Sequence, residues 1–139
     1  MSGTNELGID EGGNVPRQVR ETRTIHPPVA ASLYLSARGM DWQATEDAGF
    51  WIKPLYQNPE AGERTLLMKV DPGALAGRHA HDEFEQFYVL EGSLYDEERE
   101  LRAGDYCCRA VGAPHIAGSR DGAIVLLVYT KALPISSER

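Results

Sequence analysis

The sequence is poor in the features that mark membrane, secreted and nucleic-acid-binding proteins. It has no apolar run of about 18 residues, the length that a membrane-spanning helix needs. Its first residues lack the charged-then-apolar pattern of a signal peptide, so we expect a cytoplasmic protein. Lysine and arginine number 14 against 21 aspartates and glutamates, which gives a formal charge of −7. This acidic balance argues against nucleic acid and anionic membrane as partners.

Cysteine is also rare, since only Cys107 and Cys108 occur and they are adjacent. Neighbouring side chains on a strand point to opposite faces, so a disulfide between the two would need strained geometry. We therefore expect two free thiols in a reducing compartment. Our interpretation is that both are small buried hydrophobic residues rather than a redox pair or metal ligands.

Histidine occurs four times, and three of the four lie in two short stretches. His79 and His81 are two residues apart, so on a strand both imidazoles face one side and can share a metal ion. Glu85 keeps that parity if the intervening turn preserves it, and it would add a carboxylate oxygen. His115 offers a third imidazole from a later loop. His26 has no second ligand type at strand spacing and is predicted to be a surface residue.

The length and the ordinary hydrophobic content of 42% predict one domain with one core. Residues 1–24 are rich in Gly, Asn, Glu and Arg without an apolar period, which predicts a flexible N-terminal arm. Residues 25–131 form the predicted barrel domain, and residues 132–139 form a predicted loose tail.

Short apolar and β-branched segments between turn residues fill the predicted domain, without a strong helical pattern. About seven to ten strands, with turn signals every eight to twelve residues or so, predict an all-β sandwich or barrel. The main predicted strands are residues 29–35 (strand or short helix), 50–56, 64–70, 86–91, 106–109 and 123–130. The last is almost continuously apolar, which indicates a central strand buried on both faces. The acidic run Asp96–Glu100 is predicted to be a solvated hairpin tip.

The histidine spacing resembles the first motif of the cupin family, Gly-x5-His-x-His-x3-Glu-x6-Gly. The matching residues are Gly73, His79, His81, Glu85 and Gly92. The resemblance implies a small double-stranded β-helix barrel of the jelly-roll type, whose interior can hold one small ligand.

The second cupin motif, Gly-x5-Pro-x-Gly-x2-His-x3-Asn, is matched in part. Gly104, Gly112 and His115 are in place, whereas Ala110 replaces the proline and Ser119 replaces the asparagine. These departures bear on the stiffness of the loop more than on metal binding, because the histidine is the chemically necessary member.

Longer phrases resemble the ChrR-type cupin subgroup, which includes cupin domains of ChrR-like anti-sigma factors and acetylacetone dioxygenases that cleave carbon–carbon bonds of β-diketones. The phrases, between Trp51 and Tyr129, are WIKPLYQNPEAGERTLLMKVDPGA, HAHDEFEQFYVLEGSLYDEE, RAGDY and GAPH. ChrR proteins also carry a helical domain with zinc-binding residues that grips the sigma factor. The arm of this chain has no Cys/His pattern for it, so the resemblance implies a stand-alone member of the subgroup.

Three imidazoles, with or without a carboxylate, favour Fe(II), Zn(II), Ni(II), Mn(II) or Cu(II) over magnesium or calcium. The resemblance implies one divalent transition metal, with Fe(II) favoured and His79, His81 and His115 as ligands. Glu85 is then either a fourth ligand or a group that orients an imidazole. The resemblance also implies a homodimer.

The leading functional hypothesis is a non-haem Fe(II) dioxygenase that acts on a small keto or β-dicarbonyl compound. Phe87, Val89 and Met68, which share the inward parity, would contact the substrate. Arg64 would either reach a substrate anion or lie on the surface at its strand end. The alternatives are a non-catalytic metal-bound ligand-sensing module, a metal-dependent isomerase or hydrolase, and an interaction domain whose histidine cluster has no use.

Overall fold

A curled sheet builds the protein in the computed structural model, which describes residues 16–131. Residues 1–15 of the predicted arm and the whole predicted tail, 132–139, lie outside the described residues. The described strands are β1 Gln43–Ala44, β2 Phe50–Asn58, β3 Glu63–Val70, β4 Leu75–His79, β5 Glu83–Tyr95, β6 Glu100–Arg102, β7 Tyr106–Arg109, β8 His115–Gly118 and β9 Ala123–Lys131.

Helical structure within residues 16–131 is limited to two short 3-10 turns, Ala37–Gly39 and Pro59–Ala61. No helix in this range has the length and apolar character that crossing a bilayer requires. The prediction of an all-β protein is therefore confirmed.

Strand β5 is shared by the two halves of the curled sheet. The strand order is β1-β2-β3-β9-β5-β8-β4, and β6 and β7 also pair with β5. Residues 83–92 of β5 pair with β9 and residues 85–88 also pair with β7, whereas its last residues pair with β6 and β8. A register shift interrupts the pairing of β5 with β9 between Val89 and Glu91, shortly before the pairing with β6 begins at Ser93. Such bulges let a sheet curl and close on itself.

Strand alternation places the core inside the curl. On β5, Glu85, Phe87 and Val89 are buried, whereas Tyr88 and Leu90 face outward with 43% exposure each. The predicted parity of this strand is confirmed. On β9, every second residue is buried and those between are half-buried. The prediction that β9 is buried on both faces was therefore wrong for its outer face, which no layer within residues 16–131 fully covers.

The prediction of a first strand or short helix at residues 29–35 was wrong. This segment has no strand or helix, and Val29, Leu33 and Tyr34 are exposed. The free edge of β2 is already in use, because Ile25 forms a parallel bridge to Tyr56 and β1 covers the other end of the strand. The edge of β2, the next long strand in the chain, is therefore closed to segment 29–35, whatever its β-propensity.

The two cysteines are free, as predicted, but only one is shielded. Cys107 packs half-buried against the core, whereas Cys108 points outward and is exposed. The expectation that both are buried was wrong for Cys108, because alternation on β7 turns it to the uncovered outer face.

Two glycines of the predicted motif have a positive φ, Gly73 in the turn before β4 and Gly92 within β5. Gly92 has a φ of 70°, and a Cβ built on it would lie 2.0 Å from the backbone oxygen of Gly122. That oxygen also accepts a hydrogen bond from the Ser93 amide at 3.1 Å. Gly73 has a φ of 83°, but its Cβ would meet nothing within 4 Å. The backbone contact at Gly92 ties β5 to the start of β9.

We predict that Gly92→Ala lowers the free energy of unfolding by about 2–4 kcal/mol, because it adds a backbone clash to the strain of a positive φ. Gly73→Ala shares the strain without the clash and should cost only about 1–2 kcal/mol. Urea unfolding of both variants measures the difference. Equal losses would show that the close approach at Gly92 contributes nothing to stability.

Candidate metal centre

Strand pairing brings three histidines together at one end of the curl. His79 on β4 and His115 at the start of β8 are register partners, and their ring centroids are 4.4 Å apart. His81 follows β4 by two residues, and its ring lies 5.1 Å from that of His79 and 5.7 Å from that of His115. One nitrogen from each ring lies within 4.8 Å of the other two. His26 is exposed and lies outside this cluster.

The loop before β8 places His115 despite its departures from the second motif. Gly112, with a φ of 76°, donates its amide to the backbone oxygen of His81 at 2.8 Å. The Ala113 amide donates to the oxygen of Ala110 at 3.2 Å, so the turn closes without a proline. Ser119 is fully buried, and its hydroxyl donates to the backbone oxygen of Ser93 at 2.5 Å. The loop is thus held by backbone and hydroxyl contacts.

Hydrogen bonds to the backbone set the tautomers of two imidazoles. Nδ1 of His79 lies 2.7 Å from the oxygen of Gly77, and Nδ1 of His115 lies 3.0 Å from the oxygen of Ala113. A carbonyl oxygen only accepts, so each Nδ1 carries the proton and each Nε2 keeps a lone pair. This is the arrangement that metal-binding imidazoles use, with the second nitrogen held by a backbone group.

Burial lowers the pKa of two of the imidazoles, His81 and His115, and so favours their neutral form. It lowers the pKa of His81, and the neighbouring imidazoles of His79 and His115 lower it further. Burial also lowers the pKa of His115, against the opposing effect of its hydrogen bond to Ala113. Only the neutral ring can bind a metal ion, so the site is prepared for a cation.

Glu85 brings a carboxylate against the histidines. The residue is buried, and its Oε2 lies 3.3 Å from Nε2 of His81. With a neutral His81 this contact is not an ion pair, and Oε2 has no hydrogen-bond partner among the described residues. Burial raises the pKa of Glu85, and the charge of Arg109 offsets part of that rise.

A buried polar atom without a partner costs about 1–3 kcal/mol. Ligand atoms on one ion bonded at about 2.0–2.2 Å stand about 3 Å apart, which is close to the separation between Glu85 and His81. The donor set therefore fits a divalent transition metal, with the three imidazoles as its core.

Two polar residues beside Glu85 lie outside the sequence motifs. Arg109 on β7 and Tyr129 on β9 are the register partners of Glu85 on its two sides. The next partner along the row is Arg64 on β3, whose guanidinium carbon lies 4.1 Å above the Tyr129 ring. Burial, with the charge of Glu85, raises the pKa of Tyr129, so its hydroxyl stays protonated. Only cross-strand register, which one sequence does not reveal, could have identified this row.

The acidic run after β5 turns partly inward. Asp96 Oδ2 lies 3.0 Å from Nη1 of Arg109, and the Asp96 side chain is only 10% exposed. Glu97 accepts a hydrogen bond from the Ile116 amide at 2.9 Å and so holds the strand that carries His115. The prediction of a solvated hairpin tip was right for the turn but wrong for Asp96.

A cavity of about 290 Å³ opens beside the three histidines. Met68, Phe87 and Arg64 line it, as do Ile52, Leu66 and Leu127. Val89 lies fully buried in the core and is not part of the cavity wall, so the structure does not bring it to the site. Arg64 donates from Nε and Nη2 to Glu83 at 3.1 and 2.8 Å and is half-exposed at the cavity edge. The size suits a small ligand.

Solved structures share this fold. A protein of unknown function with a cupin-like fold from Ralstonia eutropha is 25% identical, with a TM-score of 0.55 over 59% of this chain and 55% of that chain. This chain thus spans about half the length of that protein. A candidate acetylacetone dioxygenase from Methylibium petroleiphilum is 15% identical, with a TM-score of 0.67 over 81% and 85% of the two chains.

The anti-sigma factor ChrR of Rhodobacter sphaeroides, solved in complex with SigE, gives a structure of similar fold. It is 20% identical, with a TM-score of 0.59 over 68% of this chain and 51% of that chain. No functionally curated protein matches the chain. Residues 30–134, about three quarters of the sequence, match the profile of the ChrR cupin-like domain. The chain therefore belongs to the ChrR cupin-like family.

Proposed function

We propose that the protein is a non-haem Fe(II) dioxygenase that cleaves a small keto or β-dicarbonyl compound. The observation that carries this proposal is the convergence of three imidazoles on one end of a small, mainly apolar cavity. Three protein ligands leave positions for substrate and O₂, whereas a structural site closes its coordination. Fe(II) is the proposed ion, and Zn(II), Ni(II) and Mn(II) suit the same donors.

The reaction balances with O₂ as the only co-reactant. A β-diketone loses the bond between one carbonyl carbon and the central carbon, and the two oxygen atoms enter the two products. The products are a carboxylic acid and a 1,2-dicarbonyl compound. A bound Fe(II) would supply Lewis acidity toward the substrate oxygens and electrons for the activation of O₂.

The residues of the chain would position the substrate and exclude water. Phe87 and Met68, with Leu66 and Leu127, present apolar surface to the cavity and keep the reacting atoms dry. Arg64 uses Nε and Nη2 for Glu83, which leaves Nη1 for an anionic group on the substrate. An Arg held in this way is already oriented and loses little freedom when it binds a carboxylate.

Membership of the ChrR cupin-like family favours a second candidate function, a metal-bound module that senses a small ligand without turning it over. The same imidazoles and the same cavity would serve that function. The two candidates differ in whether O₂ is consumed.

We predict that His79→Ala lowers the affinity for Fe(II) or Zn(II) by more than about 100-fold, because it removes one of three ligands. His26→Ala, which changes the one histidine outside the cluster, should leave the affinity unchanged. Elemental analysis after dialysis against metal checks both variants. Equal metal content in His79→Ala and in the unaltered protein would show that the cluster is not the metal site.

We predict that the Fe(II)-loaded protein consumes O₂ when it meets a β-diketone such as acetylacetone, with one O₂ used per diketone cleaved. An oxygen electrode and product analysis measure the stoichiometry. His115→Ala is the matched control, and it should abolish the consumption. Tight diketone binding without O₂ uptake would reject the dioxygenase and support the sensing module.

We predict that Arg64→Met lowers kcat/KM for a 2,4-dioxo acid by about tenfold or more, because it removes a charge-assisted hydrogen bond to the carboxylate. The value for neutral acetylacetone should change by less than about threefold. Arg120→Met removes an exposed arginine away from the cavity and serves as control. The same loss for both substrates would mean that Arg64 acts only on the structure.

A further inference from the structure

Two buried polar atoms in the candidate metal centre lack hydrogen-bond partners among the described residues. They are Oε2 of Glu85, which faces His81, and Nε of Arg109, which lies 3.7 Å from Oε1 of Glu85. Arg109 therefore lies next to Oε1 of the carboxylate, while Oε2 faces the imidazole of His81. The two oxygens of Glu85 have separate roles in this geometry.

Arg109 is itself held from the other side. Its Nη1 lies 3.0 Å from Oδ2 of Asp96, and its guanidinium carbon lies 5.3 Å from the centre of the Phe87 ring. Oδ1 of Asp96 accepts the amides of Glu98 and Arg99, both at 2.8 Å. The turn after β5 thus fixes Asp96 with one oxygen and leaves the other for the guanidinium.

We propose that Arg109, held by Asp96, is a positioning residue that aims Oε2 of Glu85 at the three imidazoles and makes Glu85 the fourth metal ligand. This proposal rests on the metal binding of the proposed function and adds a residue that acts on the metal through Glu85 rather than as a ligand. A carboxylate on a strand rotates about several bonds, and a cation beyond it selects the rotamer in which the free oxygen points to the metal. Partners of this kind beyond the ligands typically change metal affinity by about 10–100-fold.

The direction in which removal of the Arg109 guanidinium changes the metal affinity distinguishes a positioning role from a purely electrostatic one. Arg109 is a cation close to a cation site, so its charge alone opposes metal binding. Removal of the guanidinium should then tighten metal binding if charge were its only contribution. Removal should weaken metal binding if Arg109 works by aiming Glu85.

The test measures the dissociation constant of Co(II) for the full chain, by competition with a chromogenic chelator. We expect Arg109→Met to weaken Co(II) binding by about 10–100-fold. In the Glu85→Gln background the same substitution should change it by less than about twofold, because the ligand on which Arg109 acts is altered. The visible spectrum of bound Co(II), which depends on coordination number, should shift alike in Arg109→Met and Glu85→Gln.

Asp96→Asn provides a second variant should Arg109→Met fail to fold. It keeps an oxygen for the two turn amides and replaces the oxygen that faces Arg109 with a donor. We expect it to weaken Co(II) binding about threefold to tenfold, and Arg120→Met, which removes an exposed arginine, to leave it unchanged.

Three outcomes would overturn the proposal. The first is unchanged or tighter Co(II) binding in Arg109→Met, or no effect of Asp96→Asn, while the unaltered protein binds one ion. This outcome leaves the metal site intact and removes only the positioning role. The second is an equal loss in the Glu85→Gln background, which would indicate general damage to the fold. The third is an unaltered protein that binds no metal, which would reject the metal site and the positioning role together.

Discussion

The antiparallel pairing of β4 with β8 is the constraint on which the candidate site depends. This pairing sets His79 directly opposite His115. Backbone pairing alone therefore brings together two imidazoles from distant parts of the chain, before any metal ion binds. A slip of one residue would send one ring to the opposite face of the sheet. His81 joins them because its backbone oxygen holds Gly112 in the loop that precedes β8. The register of two short strands therefore decides whether a metal site exists.

A second feature is the row of charged and polar residues that crosses the sheet beneath the imidazoles. Arg109, Glu85, Tyr129 and Arg64 lie side by side on β7, β5, β9 and β3. A buried carboxylate would be costly alone, and the adjacent guanidinium lowers that cost while leaving one oxygen free. The row thus combines an apolar cavity with a few fixed polar groups, as small-molecule sites usually do.

Sequence reasoning could predict the features that depend on local spacing. Strand alternation predicted the proximity of His79 and His81 and the inward side of Glu85, and the structure shows both, although His81 lies two residues beyond the end of β4. The prediction of a strand or short helix at residues 29–35 failed because strand formation depends on which strand edges are open. The prediction that Asp96 is solvated failed because it depends on whether the turn packs against the sheet. Sequence reasoning missed Arg109 and Tyr129 because their proximity to Glu85 is a matter of cross-strand register alone.

The most direct test of the central claim is X-ray absorption spectroscopy of the metal-loaded protein at the edge of the bound metal. Coordination by His79, His81 and His115 predicts outer-shell scattering from three imidazole rings and nitrogen or oxygen ligands at about 2.0–2.2 Å. Sulfur scattering at about 2.3 Å from Cys107 or Cys108, or a ligand shell without imidazole, would contradict it.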